Sequence, residues 1–147
     1  MTAALSTRFA SGVYRAGGRR AFDVLAIAPY ARTAAGVLSQ ARAARRLMVR
    51  HRGRAGKLWI VSFGWSDRGP RSKFRAGRKG QAANIRKVLG LLARNRRALA
   101  LRGVVYVAWR DRASSGPPWT RYAGLLDSRR RQKPAFRAFR SGVGAFR

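Results

Sequence analysis

KLWIVSFGWSDRG, residues 57–69, is the stretch on which the fold turns. Its first seven residues include Leu58, Trp59, Ile60, Val61 and Phe63, aromatic and branched side chains that fit a pleated surface. The run is of strand length and makes a strand candidate. Gly64 follows it, and Ser66, Asp67, Gly69 and Pro70 then open a basic, glycine-containing loop that continues to about Gly80. The stretch therefore predicts a strand followed by a polar loop.

The same pattern recurs on either side. Residues 22–27 (FDVLAI) form another apolar run of strand length, closed by Pro29. Between the two runs, Val37, Leu38, Ala41, Ala44, Leu47 and Met48 recur at helical spacing, with Arg42, Arg45, Arg46 and Arg50 on other faces and Gly53 and Gly56 as the stop. Downstream, Ile85, Val88, Leu89, Leu92 and Leu99 predict a helix over 81–101 that Gly103 ends. Residues 104–109 (VVYVAW) read as the third strand, a continuous apolar run that suits burial on both faces of a parallel sheet, and a loop holding Ser114, Ser115, Gly116, Pro117 and Pro118 follows. Pro134 leads into a last helix carrying Phe136, Phe139 and Val143. At the other end, Leu5, Phe9 and Val13 share one face of an initial helix, which Gly17 and Gly18 terminate. The order is αβαβαβα, an α/β chain of parallel βα units. Three strands cannot close on themselves, so the sheet would present unpaired edges that another chain, or a second copy, is suited to cover.

Composition narrows the chemistry. The 147 residues suit one compact core, and 46% of them are hydrophobic, with four Trp, four Tyr and seven Phe to fill it. The charge is extreme: 34 Lys and Arg face four acids, Asp23, Asp67, Asp111 and Asp127, for a formal net charge of +30. With no Glu at all, the usual Glu–Lys support along helix faces is missing. The absence of Cys excludes disulfides, thiolate metal sites and Cys nucleophiles. His51 is the sole histidine, and its place at the end of a predicted helix fits a cation on the helix dipole. One His and scattered Asp make no metal site, and RAGRKGQ at residues 75–81 lacks the spacing of a phosphate loop and reads as a linker. Neither a metal nor a cofactor is expected. No apolar run reaches bilayer-spanning length and no secretory leader is read. The first twenty residues have the acid-free, Arg- and Ser-containing composition of a transit peptide, but they are read as an amphipathic helix or a basic disordered segment, and the compartment stays open.

Four stretches together resemble a family. FDVLAIAPYA (22–31) is similar to the sixth strand of many (β/α)₈-barrel glycoside hydrolases, which usually ends His-Pro-Tyr. KLWIVSFGWSDRG resembles their seventh strand, commonly Leu-Trp-Ile-Thr-Glu-Phe-Gly-Trp. Gln81-Ala82 and then VVYVAWRD (104–111) resemble the following helix start and the eighth strand. YAGLLDSRRRQKPAFRAF (122–139) is similar to the closing segment, in which a Gly-Leu-Leu turn precedes Lys-Pro-Ala. The resemblance spans residues 21–147 and implies part of a TIM barrel of the clan A type, strands six to eight, with residues 1–20 outside it.

The departures from that pattern set the functional expectation. The resemblance implies a nucleophilic glutamate at the end of strand seven, where this chain has Ser62, and a His on strand six, where it has Ala28. A retaining glycosidase needs two carboxyl groups about 5–5.5 Å apart, and a serine hydroxyl without a neighbouring base supplies neither. The acid partner would come from strand four, outside these motifs. Asp67 and Asp111 fall in loops beyond strand ends but sit beside Arg68, Arg110 and Arg112, so they read as loop ion pairs rather than a catalytic pair. Tyr30, Trp65, Trp109 and Asp111 are the carbohydrate-binding candidates that the resemblance implies. For Tyr30 and Trp109 packing is the better reading, and Trp65 lies between the two readings. The expected function is thus a truncated or degenerate glycosidase-like barrel without hydrolase activity of its own; any activity would be that of an O-glycosyl hydrolase.

A second reading is a basic polyanion-binding protein with RNA as partner. Arg42, Arg45 and Arg46, then Arg94, Arg96 and Arg97, then Arg129, Arg130 and Arg131 form clusters able to displace counterions from phosphates. No helix-turn-helix, RNP, KH or zinc-finger pattern accompanies them, so such binding would be nonspecific.

Overall fold

The computed structural model describes residues 7–18, 22–52, 56–112 and 117–146. Its elements are α1 (Thr7–Arg15), β1 (Val24–Ile27), α2 (Ala34–Arg52), β2 (Lys57–Ile60), α3 (Gly77–Arg94), the short α4 (Arg96–Leu99), β3 (Leu101–Val104) and α5 (Pro134–Val143). Single 3₁₀ turns cover Pro118–Tyr122 and Gly144–Phe146. The three strands form one parallel sheet in the order β1-β2-β3. Helix α2 crosses from β1 to β2, and α3 with α4 crosses from β2 to β3. The α/β reading is therefore the observed one. Among the described residues no helix is long and apolar enough to cross a membrane.

The sheet has one covered face and one open face. Leu25 and Ile27 of β1, Leu58 and Ile60 of β2 and Leu101 of β3 point to the helices. They meet Val37, Leu38, Ala41, Ala44 and Met48 of α2 and Ile85, Val88, Leu89 and Leu92 of α3. Each Val, Leu, Ile or Met among them, fully buried, contributes about 1.5–3 kcal/mol. Helix α5 packs on α3, where Gly142 lies so close to Leu89 that an added Cβ would fall 2.5 Å from Leu89 Cδ1. On the opposite face Val24, Trp59, Val61 and Val105 are 39–46% exposed. The continuous apolar runs do not, in these residues, mean burial on both sides.

Local corrections have clear causes. The third strand begins at Leu101 and not at Val104, although parallel pairing runs on as Val105 N–H bonds Ile60 O and Val107 N–H bonds Phe63 O. Gly103 is thus inside the strand. It is a glycine because the Trp59 indole lies over it, leaving 2.5 Å to any Cβ. The stop comes earlier: α3 ends at Arg94, α4 at Leu99, and Ala100 takes a left-handed conformation (φ 49°). At its start, α3 begins at Gly77, so the stretch expected as a linker supplies its first turn. Gln81 and Ala82 there are buried, and that burial outweighs the poor helix propensity of Gly77 and Gly80. On α1 the docked face is Ala10 and Tyr14, while Phe9 is 58% exposed. Tyr14 stacks on His51 at 4.7 Å and tilts against Phe22, which rotates the helix away from the Phe9 stripe. His51 lies in the last turn of α2, as expected. On α5 the buried residues are Ala135 and Ala138, with Phe136 and Phe139 half-buried and Val143 exposed. Leu5, Gly53 and Ser114 to Gly116 lie outside the described residues.

Candidate functional site

The loops after β1, β2 and β3 gather at the C-terminal end of the sheet, the end where barrel enzymes build their sites. Ser62 lies two residues past the end of β2, half-buried, and its Oγ hydrogen-bonds the Tyr30 hydroxyl from the loop after β1. Tyr30 packs edge-on against Phe74 and Trp119, whose rings are 4.7 Å apart. The serine therefore faces a phenol and an aromatic wall. Among the described residues no carboxylate or imidazole hydrogen-bonds Ser62, so it has no base to activate it.

Trp65 and Asp111, two of the four carbohydrate candidates, are turned inward. Trp65 is fully buried, and its Nε1–H donates to Ala31 O at 2.9 Å and Arg32 O at 3.0 Å. Its indole thus ties the loop after β2 to the loop after β1. Trp109 is 61% exposed and meets Phe136 edge-on, and Tyr30 is half-buried with its hydroxyl on Ser62.

Asp67 and Asp111 do form ion pairs, with the expected Arg68 and, more closely, with Lys133. Lys133 Nζ, 2% exposed, sits 2.9 and 3.1 Å from the two oxygens of Asp111 and 3.2 Å from Asp67 Oδ1, and it donates to Tyr122 O. Gly124 N–H adds a bond to Asp111 Oδ1 at 2.8 Å. Arg68 is the peripheral partner, 3.5 Å from Asp111 and 4.0 Å from Asp67. One buried ammonium serves both carboxylates, so the cluster staples the loop after β2 to the connection between β3 and α5. Lys133 went unread as a site residue. Its signal was the Lys-Pro-Ala at the start of α5, where a lone Lys directly precedes a helix-opening proline.

Gln81 is a second hub. From the first turns of α3, its Nε2 donates to Trp65 O at 2.9 Å and Ala123 O at 3.1 Å, with Tyr106 Oη 3.3 Å away. Burial pushes the Tyr106 phenol well above its ordinary range, against a smaller lowering contribution from the Gln81 amide that donates to its oxygen. Neither residue was singled out for these contacts in the sequence, where a lone Gln carries no pattern.

The three arginine clusters differ in their surroundings. Arg42 bonds Asn95 Oδ1, Arg45 bonds Gly56 O and Arg96 bonds Phe146 O. Arg94 ends α3 on the surface. Arg129 and Arg130 are exposed on a turn, and Arg131 pairs with Asp127 at 2.7 Å. Among the described residues no group of three or more metal-ligating side chains occurs.

No protein-family model matches the chain, and comparison with curated protein sequences finds no match. Solved structures do match in fold. A family 39 glycoside hydrolase from Bacteroides cellulosilyticus WH2 superimposes with a TM-score of 0.68 at 19% identity, over 98% of this chain and 31% of its own. A thermostable mutant of a xylanase from Cellvibrio japonicus gives 0.63 at 12% identity, over 93% and 44%. A GH2 β-galacturonidase from Eisenbergiella tayi gives 0.62 at 15% identity, over 84% and 24%. The chain thus spans less than half the length of each of these structures. The described residues have the fold of one part of a glycosidase-type (β/α)₈ barrel.

Proposed function

We propose that the chain supplies strands six to eight of a glycosidase-like barrel that has lost its attacking carboxylate, and that these residues hydrolyse no glycoside on their own. The observation that carries this reading is Ser62 at the tip of β2, hydrogen-bonded to Tyr30. A serine there is neutral at pH 7 and gives neither the covalent glycosyl intermediate nor the charge that stabilises an oxocarbenium-like transition state. The remaining acids nearby, Asp67 and Asp111, are held by Lys133. Carbohydrate remains the ligand class suited to the site, through the exposed Trp109 and the partly open Tyr30. The open face and free edges of the sheet fit five further βα units, from this protein or another chain.

The test is to join the chain to the first five βα units of a retaining glycosidase of this barrel type. The wild-type hybrid is expected to fold and stay silent on aryl glycosides, while Ser62→Glu gains hydrolysis. A folded hybrid that gains nothing from Ser62→Glu removes the positional assignment, and turnover by the wild-type chain removes the claim of silence.

A second reading, binding of polyanions such as RNA, is favoured by one observation. Four acids stand against 34 basic residues, so most of the surface arginines have no carboxylate to pair with.

A further inference from the structure

Two of the arginine clusters, far apart in sequence, meet at the N-terminal end of the sheet, the end opposite Ser62. Arg45 and Arg46 lie in the second half of α2, Lys57 opens β2, Arg96 and Arg97 form α4, and Arg102 is the second residue of β3. They line two adjoining hollows of about 490 and 420 Å³ that share Arg45 and Arg97 as common walls. Arg45 and Arg96 are fixed by backbone carbonyls, Gly56 O and Phe146 O. Arg46, Arg97 and Arg102 are exposed, and no hydrogen bond or ion pair engages their side chains among the described residues. Of the four acids Asp23 stands at this end, its carbonyl accepting the Lys57 N–H at 3.1 Å, whereas the ion pairs of Asp67, Asp111 and Asp127 lie elsewhere. The third cluster, Arg129 to Arg131, lies on a turn and directs Arg131 to Asp127.

We infer that this basal groove binds a chain of phosphates, the repeating anion of a nucleic-acid backbone or of inorganic polyphosphate. The inference rests on the polyanion reading and adds to it a place and a set of residues. The physical ground is convergence. Six cations held within one groove by four elements share each phosphate's field and release condensed counterions together, whereas the same charges scattered over the surface act singly. Guanidinium groups suit phosphate oxygens through paired N–H donors. Because the groove is at the far end of the strands, it operates independently of any chemistry at Ser62.

The experiment compares two full-length variants of equal net charge. One is Arg46→Gln/Arg97→Gln/Arg102→Gln in the groove; the other is Arg129→Gln/Arg130→Gln/Arg137→Gln on exposed positions away from it. A fluorescein-labelled 20-nucleotide single-stranded RNA is titrated from 50 to 300 mM KCl, and circular dichroism verifies that both variants keep the wild-type fold. The groove variant is expected to bind at least about tenfold more weakly at 150 mM, with a log–log salt slope shallower by about 2, the value for three lost contacts to a single strand. The control variant should stay within about twofold of wild type. Equal losses in both variants, or no loss in the groove variant, overturn the groove while leaving polyanion binding standing. If wild-type binding vanishes at physiological salt, the polyanion reading itself falls. Competition then separates the sources: displacement of the RNA by inorganic polyphosphate at equal phosphate concentration assigns the groove to polyphosphate, and resistance to it assigns nucleic acid.

Discussion

Lys133 shows how much a single side chain carries when its surroundings are dry. Its ammonium is shared by Asp67 and Asp111, and the three come from the loops after β2 and β3 and from the residue before α5. Removing the cation leaves two buried carboxylates facing one another. Lys133→Met should therefore cost about 3–5 kcal/mol, read as a lower midpoint in urea unfolding. Tyr106 makes a second residue-scale case, and its sign can be worked out. The folded state holds the phenol neutral above the pH at which the unfolded chain ionises it, near 10. Its stabilising contribution is therefore intact below pH 10 and declines as pH rises toward the folded value. Thermal melts at pH 9 and 11 should show a larger fall in Tm for wild type than for Tyr106→Phe. An equal fall in both would assign the alkaline loss to other groups. At the acid end, Asp127 is held below its ordinary value, first by the backbone N–H of Arg131, so its smaller contribution fades as pH drops through that lowered value.

At the scale of elements, close approach decides where glycine is needed. Gly103 of β3 lies under the Trp59 ring of β2, and Gly142 of α5 lies against Leu89 of α3. Gly103→Val should force the indole off the strand and cost about 1–3 kcal/mol as overpacking. The change is measurable by chemical denaturation together with tryptophan fluorescence, since Trp59 would move. A variant with wild-type emission and stability would show that the ring has another place to go. These contacts also explain the boundaries that periodicity missed. Glycine is commonly a stop, but Gly103 and Gly77 sit inside a strand and a helix because tertiary neighbours or a positive φ (72° at Gly77) require them.

For the whole molecule, two opposing surface properties govern association. The open face of the sheet presents Val24, Trp59, Val61 and Val105, a patch that favours contact with another apolar surface. The net charge of +30 opposes any encounter between two copies. Salt weakens the repulsion, with a screening length of about 10 Å at 0.1 M, while leaving the apolar attraction intact. Light scattering should therefore show association that rises with salt, and Val61→Thr with Val105→Thr should suppress it without loss of folding. Association that falls with salt would instead point to charge-driven contacts.

The sequence by itself determined the alternation of three short apolar strands with amphipathic helices, because burial of one helix stripe and of short continuous runs leaves a periodic trace in the order of residues. The resemblance of KLWIVSFGW to a barrel's seventh strand, and not periodicity, led to the expectation of Ser62 at a strand tip, and the structure has it two residues past the end of β2. Only the tertiary structure decided that Trp65 and Asp111 face inward, that Lys133 and Gln81 hold the loops, and that two arginine clusters share one groove. Those facts depend on which loops meet at each end of the sheet. Such meetings join residues far apart along the chain, and no local periodicity records them.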